Sequence, residues 1–461
     1  MPVDPRSVHP IEYRYGCEKL RKILSVENMY RTMALVEYHV VKVQEKYGLV
    51  PRGTSGALKK AIDGLDINDI FEEERRIRHD VMALINVLAR RMGEFGEYIH
   101  LGLTSADLRD TAKILIIREA LSHIEGKIVE LIEILLDLAS RYSDLPCIAR
   151  THGMHACIYA FGRKFAVFAD EFARHMERIG ELKKRLFVGK ISGAVGIHDC
   201  LGDLGEKVER EVLEELGLEV DENATQIISR DRLAELFSVL TLVSTSLDKL
   251  ATEIRNLQRT EIGEVEEEFV LEQVGSTAMP HKKNPINAEN ICSLSRIIRG
   301  LLLSAFENMV LWHERDLTNS ASERIIIPEF FMIVDEQISR MIRILKGLRI
   351  NRENIERNIR LSKGMIYSDI LVTRLAMKGY GRQKAHEYIR GIAMRAYETG
   401  RSFKKLVMSD ELIRKYLGGE VEEIFRPEKH IKVAVERTKR TIRRIRRRIE
   451  AYMNKPSETG L

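Results

Sequence analysis

Apolar residues recur through the middle of the chain at steps that alternate between three and four. One run is Ile114, Ile117, Leu121, Ile124, Ile128, Leu131, Leu135 and Leu138; a second is Leu233, Leu236, Leu240, Val243, Leu247, Leu250, Ile254 and Leu257. Because an α-helix turns once in about 3.6 residues, this spacing predicts two long helices with continuous apolar seams that pack at shallow angles. Leu115, Leu136, Phe237 and Leu242 lie off the seams and widen them, which predicts a multi-helix bundle rather than a two-stranded coiled coil. Asp107 and Asp110 stand where the first helix begins and complement its dipole. Ser229 or Asp231 can cap the second.

Proline punctuates the rest. None occurs between Pro146 and Pro280, or between Pro328 and Pro427, and such stretches, rich in Leu, Ile, Glu, Arg and Ala, favour helices. The expected fold is all-α and elongated, with three domains. These are a helical N-terminal domain over residues 1–105, a central long-helix bundle over 106–360 and a C-terminal helical domain over 361–461. A chain of 461 residues exceeds one compact core.

Composition narrows the class. No stretch approaches the roughly 20 apolar residues that span a bilayer, so no membrane partner is expected. The first residues, MPVDPRSVHP, lack the basic-then-apolar pattern of a secretory signal, which makes a cytoplasmic location the expectation. Cys17, Cys147, Cys157, Cys200 and Cys292 form no C-x-x-C pair, which argues against a zinc ribbon or a disulfide framework. The net charge of +5 is local: residues 431–450 hold nine basic and two acidic side chains, leaving the remainder near −2. The arginine run at 443–448 reads as a solvated helix face, so nucleic acid is not an expected partner.

The chemistry concentrates in Gly275-Ser-Thr-Ala-Met-Pro-His-Lys-Lys-Asn-Pro285. Gly275 permits unusual backbone angles and two prolines prevent a helix between them. Ser276, Thr277, His281, Lys282 and Asn284 therefore crowd onto one irregular loop. Hydrogen-bond donors and a fixed positive charge suit a carboxylate substrate that develops further negative charge. Arg315, Ser320 and Arg324 offer two guanidinium groups and a hydroxyl, a set suited to a phosphate.

The loop resembles the G-S-S-x-M-P-x-K-x-N-P signature of the fumarase/aspartase superfamily. Thr104-Ser-Ala-Asp-Leu-Arg-Asp-Thr-Ala112 and Arg150-Thr-His-Gly-Met-His-Ala156 resemble its other two conserved segments, in the expected order. Met279-Pro-His-Lys-Lys-Asn resembles the adenylosuccinate lyase branch, since argininosuccinate lyases usually carry Gln at the position of His281. Arg14-Tyr15, Arg78-His79-Asp80, Gln226 and the set Arg315, Ser320 and Arg324 also resemble nucleotide-binding pieces of that branch. Thr277, Met154 and Lys283 depart from the common Ser, Gln and Arg.

The resemblance implies a carbon–nitrogen lyase that releases fumarate from adenylosuccinate, and from the succinylated aminoimidazole carboxamide ribotide of purine biosynthesis. The alternative is another fumarate-releasing lyase of the superfamily, such as one for argininosuccinate. The family role of base falls on Ser276, with Thr277 as the neighbouring hydroxyl; His152 is the general acid, and Glu289 orients it. Lys282 and Asn284 stabilise the aci-carboxylate, and Thr104 and Ser105 bind substrate. No cofactor is expected, since the substrate carries its own leaving group and no Rossmann or P-loop glycine pattern occurs. His152 and His155 lack an acidic residue at metal-ligand spacing, so no metal is expected. His155 is read as structural.

One geometric consequence needs no family. A helix from about Asp107 to about Tyr142 is roughly 54 Å long at 1.5 Å per residue, while about ten residues separate its end from His152 and reach at most about 36 Å. Thr104 and His152 of one chain therefore cannot meet unless the helix breaks near Gly126. If both serve one site, the site joins different subunits. The resemblance implies a homotetramer whose long helices form a shared core.

Overall fold

The computed structural model of the chain describes residues 6–269, 272, 278, 279 and 281–454. Helices α1 (Glu18–Ile23), α2 (Val26–Lys46), α3 (Thr54–Asp63), α4 (Ile67–Ile77) and α5 (Asp80–Met92) lead into α6 (Ser105–Arg141). A hairpin of β1 (Pro146–Thr151) and β2 (Met154–Ala160) follows, then α7 (Phe161–Leu186), α8 (Asp203–Glu215), α9 (Asp231–Gln258), α10 (Ile286–Glu307), α11 (Thr318–Lys346) and α12 (Arg352–Leu361). The chain then runs through α13 (Ser368–Leu375), α14 (Arg382–Thr399), α15 (Phe403–Ser409), α16 (Glu411–Leu417), α17 (Glu420–Ile424), α18 (Pro427–His430) and α19 (Lys432–Met453). The other strands are two-residue pieces such as Val265–Glu266, which pairs antiparallel with Arg349–Ile350. The fold is all-α, as the periodicity predicts.

Both seams are buried from end to end. Ile117, Leu121, Ile124, Ile128, Leu131 and Leu135 of α6 and Leu236, Leu240, Val243 and Leu247 of α9 are wholly inaccessible. Each such side chain stabilises the fold by about 1.5–3 kcal/mol. Helices α6, α7, α9, α10 and α11 pack in a closed ring, each against the next and α11 back against α6. Leu242 is the exception among the widening residues, 47% exposed on the outer side of α9. Helix α6 continues through Gly126 without a break for 37 residues, about 55 Å.

The N-termini of α6, α9 and α11 meet at one end of this ring around buried charges. Arg230 donates to Asp110 at 2.6 Å and to Glu323 at 2.7 Å, and Lys113 pairs with both carboxylates. Burial alone would raise the pKa of Asp110, but Arg230 and Lys113 hold it well below the usual carboxylate range. Asp107 closes the helix start, accepting from the Thr104 N–H at 2.7 Å, and pairs with Lys190 at zero exposure. The two aspartates thus do more than complement a dipole. At α9 the expectation fails: Arg230 occupies the N-cap without a side-chain cap bond, so neither Ser229 nor Asp231 caps the helix. Pro328 also lies inside α11 and does not bound it; the helix loses one backbone donor there but is held by Phe330 stacked on Phe237, ring centroids 4.3 Å apart.

Two apolar cores are present among the described residues. The larger joins α1–α12 with Ile442, Ile445 and Ile449 of α19; the smaller joins Ile148, Ile158 and Ala160 of the hairpin to residues of α13–α17 and to Ile431. The arginine run of α19 is partly paired: Arg444 meets Asp170 at 2.9 Å, Arg446 meets Asp137 at 3.2 Å, and Arg448 donates to Glu177 at 2.8 Å. Those three side chains clamp α19 onto α6 and α7 and are not simply solvated.

Candidate active site

At the hairpin tip, Thr151 pairs with Met154, leaving His152 and Gly153 as the two-residue turn. Their φ angles are 52° and 77°, both positive, as the turn type favoured by right-twisted hairpins requires. His152 is exposed and, among the described residues, makes no hydrogen bond or ion pair, Glu289 included. Just behind the tip the hairpin is fixed: Arg150 donates to Glu264 at 2.6 Å, and Asn358 donates to the same carboxylate oxygen at 2.8 Å. His155 faces Arg150 across the hairpin, and burial together with Arg150 lowers its pKa.

Gly275, Ser276 and Thr277 lie outside the described residues. The segment from His281 approaches the same end of the bundle as the hairpin, with Lys283 pairing at 2.8 Å with Glu266, two residues from Glu264. Lys282, Asn284 and Glu289 line one cleft of about 830 Å³ with Arg255, Asn256 and Arg259 from the end of α9. Buried Glu267 accepts from the Ala288 N–H at 2.9 Å and from the Asn287 N–H at 3.3 Å. A distant carboxylate therefore caps α10 and fixes the entry of the Lys282–Asn284 stretch.

A second cluster forms at the opposite end. Arg78, with φ at 58°, ends α4 in the left-handed conformation, and His79 caps α5 by accepting from the Met82 N–H at 3.2 Å. That commits Nδ1 as acceptor and leaves Nε2 as the nitrogen that can donate. Asp80 binds Arg109 of α6 through one oxygen and Arg324 of α11, at 3.1 Å, through the other. Arg315 donates to Gln226 at 3.0 Å, its Nε buried without a partner among the described residues. Burial lowers the pKa of its guanidinium. Ser320 sits half-buried in the first turn of α11, one turn before Arg324, and Thr104 and Ser105 open α6 one turn before Arg109.

The chain therefore brings His79, Asp80, Gln226, Arg315 and Arg324 to one end, and His152 and the Lys282–Glu289 stretch to the other. Helix α10, 22 residues long, runs about 33 Å between them. Arg14 is exposed and Tyr15 half-buried, and no described side-chain hydrogen bond or ion pair joins either to the arginine cluster. Their segment lies along α11, where the Gly16 N–H donates to Glu336 at 3.1 Å. Arg109 was not singled out in the sequence, although it lies within the quoted Thr104–Ala112 motif; its pairing to Asp80 29 residues away has no local signal. The Asp110–Arg230–Glu323 group was likewise invisible, since its members are scattered along the chain.

The class of protein to which this long-helix bundle belongs is that of the lyases, as the family match shows. The family model described as "Lyase" matches residues 21–300. A solved fumarate lyase from Mesorhizobium sp. BNC1 superimposes with a TM-score of 0.85 at 28% identity, covering 96% of this chain and 99% of that one. The model described as "Adenylosuccinate lyase C-terminus" matches residues 364–441. Adenylosuccinate lyases of Pyrococcus abyssi and Pyrococcus horikoshii are 44% and 43% identical over 93% and 95% of this chain, and over 96% and 97% of their own lengths. The chain belongs to the adenylosuccinate lyase family.

Proposed function

We propose that the enzyme eliminates fumarate from adenylosuccinate to give AMP, and from the corresponding succinylated aminoimidazole carboxamide ribotide, at a site assembled from different subunits of a homotetramer. The near-full-length match to adenylosuccinate lyases carries this reading. Elimination must first take a proton from the carbon beside a carboxylate, which spreads charge into an aci-carboxylate dianion. Lys282 and Asn284 stabilise that charge. Ser276 is the base, a weak one unless its alkoxide is stabilised and water excluded. His152 protonates the departing purine nitrogen, a role suited to a side chain titrating near neutrality, and Glu289 orients it. Arg315, Ser320 and Arg324, with Arg14, Tyr15, Arg78 and His79, hold the phosphate and nucleoside end.

The separation of the two clusters supports a shared site. His152 projects from a fixed hairpin with no hydrogen-bond or ion-pair partner among the described residues, and the arginine cluster lies a helix length away. The test is direct: purified protein is incubated with adenylosuccinate while AMP and fumarate are measured, with argininosuccinate as a parallel substrate. Fumarate release from adenylosuccinate alone is expected. Release from argininosuccinate alone would overturn the substrate assignment.

A further inference from the structure

Cys17, His123 and Asp335 lie outside the clusters described above. They come from the residue before α1, the middle of α6 and the second half of α11, 106 and 212 residues apart along the chain. No sequence spacing could announce them. Their side chains converge on a single atom: His123 Nε2 is 3.5 Å from Cys17 Sγ and 2.8 Å from an Asp335 carboxylate oxygen. One ligand atom of each lies within 4.8 Å of the others. Asp335 is buried, with its side chain 1% exposed, and that of His123 is 11% exposed.

We propose that these three residues form a divalent-metal site suited to Zn²⁺. Without a metal, the ring nitrogen directs its one proton at Asp335 and the Cys17 thiol gives its own proton to the same carboxylate. A metal ion between the three atoms engages all of them at once. Tetrahedral Zn²⁺ with bonds of about 2.0–2.3 Å holds its ligands roughly 3.3–3.8 Å apart; the Cys17–His123 separation of 3.5 Å already fits, and the imidazole and carboxylate, 2.8 Å apart, must part slightly. Thiolate and imidazole donors select zinc over magnesium or calcium. Two ligands sit on packed helices, the usual way a bundle builds such a site. Half-exposed Cys17 gives access and leaves a fourth position for water. The ion would tie the segment that carries Arg14 and Tyr15 to α6 and α11.

The test uses the full-length protein, loaded with Zn²⁺, dialysed against metal-free buffer and analysed for bound metal. One Zn²⁺ per chain is expected, and loading with Co²⁺ should give a thiolate-to-cobalt absorption band that Cys17→Ser lacks. Against a chromogenic chelator, Cys17→Ser and His123→Gln should each weaken Zn²⁺ binding at least about 100-fold, beyond what losing an outer partner costs. Circular dichroism checks that the variants fold, and the wild-type stoichiometry and cobalt band decide the matter without them. Failure of the wild type to retain stoichiometric Zn²⁺ would leave a His123–Asp335 ion pair and overturn the site. So would stoichiometric metal with no thiolate band.

Discussion

The imidazole of His152 stands on a backbone that most side chains avoid, with φ at 52°. A non-glycine residue held there costs on the order of 1 kcal/mol, and Asn tolerates the conformation best. His152→Asn should therefore preserve the turn and the far-ultraviolet dichroism while lowering kcat by about 10²–10⁴, the usual worth of a general acid. A variant within tenfold of wild type would remove His152 from the mechanism. Asp80 is a positioning residue, since it holds Arg109 and Arg324 with one carboxylate. Asp80→Ala leaves both arginines without their shared anchor, so KM for adenylosuccinate should rise about tenfold, the equivalent of roughly 1.4 kcal/mol, with a smaller change in kcat. Equal losses in kcat and KM, or none, would contradict that role. His152, Lys282 and Arg324 were legible because each sits in a stretch whose local chemistry or resemblance marks it. Arg109 and Arg230 were not, because only tertiary packing gives them their carboxylate partners.

At the scale of single elements, the seams of α6 and α9 were readable because an apolar period survives any tertiary arrangement that buries it. Helix ends were less readable. Arg230 stands at the start of α9 because a buried guanidinium pairs there with Asp110 and Glu323, a demand that overrides local capping preference. The hairpin that carries His152 is short and its strands, mostly small and apolar, show no regular alternation to announce it. Helix α7 holds a pH-sensitive contact of its own. His175 Nδ1 accepts from Arg178 at 3.1 Å, and Nε2 lies 2.8 Å from Ser246 Oγ, whose own proton goes to Glu171. The ring is therefore neutral, and burial and Arg178 depress its pKa to about 4. With the folded value below the unfolded one, near 6.5, stability is full above pH 6.5 and falls as the pH drops toward 4. The contribution at stake is on the order of 3 kcal/mol. Urea denaturation at pH 7 and pH 4.5 should show a smaller loss for His175→Gln than for wild type; identical losses would assign the sensitivity elsewhere.

For the whole molecule, one surface bears on assembly. Between the end of α10 and the start of α11, Leu303, Val310, Trp312 and Leu317 are each at least 68% exposed, with Phe306 and Met309 beside them. So many large apolar side chains left exposed within one short stretch of chain fit an interaction surface and the proposed tetramer. Trp312→Glu should shift the species seen by light scattering toward smaller assemblies and reduce activity in parallel; a fully active monomer would end the shared-site proposal. Mixing inactive His152→Asn and Ser276→Ala proteins, then dissociating and reassociating them, should restore activity in hybrids that unite unmutated contributions. Helix α6 adds a constraint of a different kind. As an unbroken rod it couples its two ends in rotation as well as in distance, each residue turning the chain by about 100° and advancing it by about 1.5 Å. Deleting one residue near Gly126 would thus turn the His152 end by about 100° relative to the Thr104 end although no functional side chain had changed. Inserting seven would nearly restore the angle and miss by two turns of length. Evolution of such a site is free to alter loops, but not to change the residue count of its longest helix one step at a time.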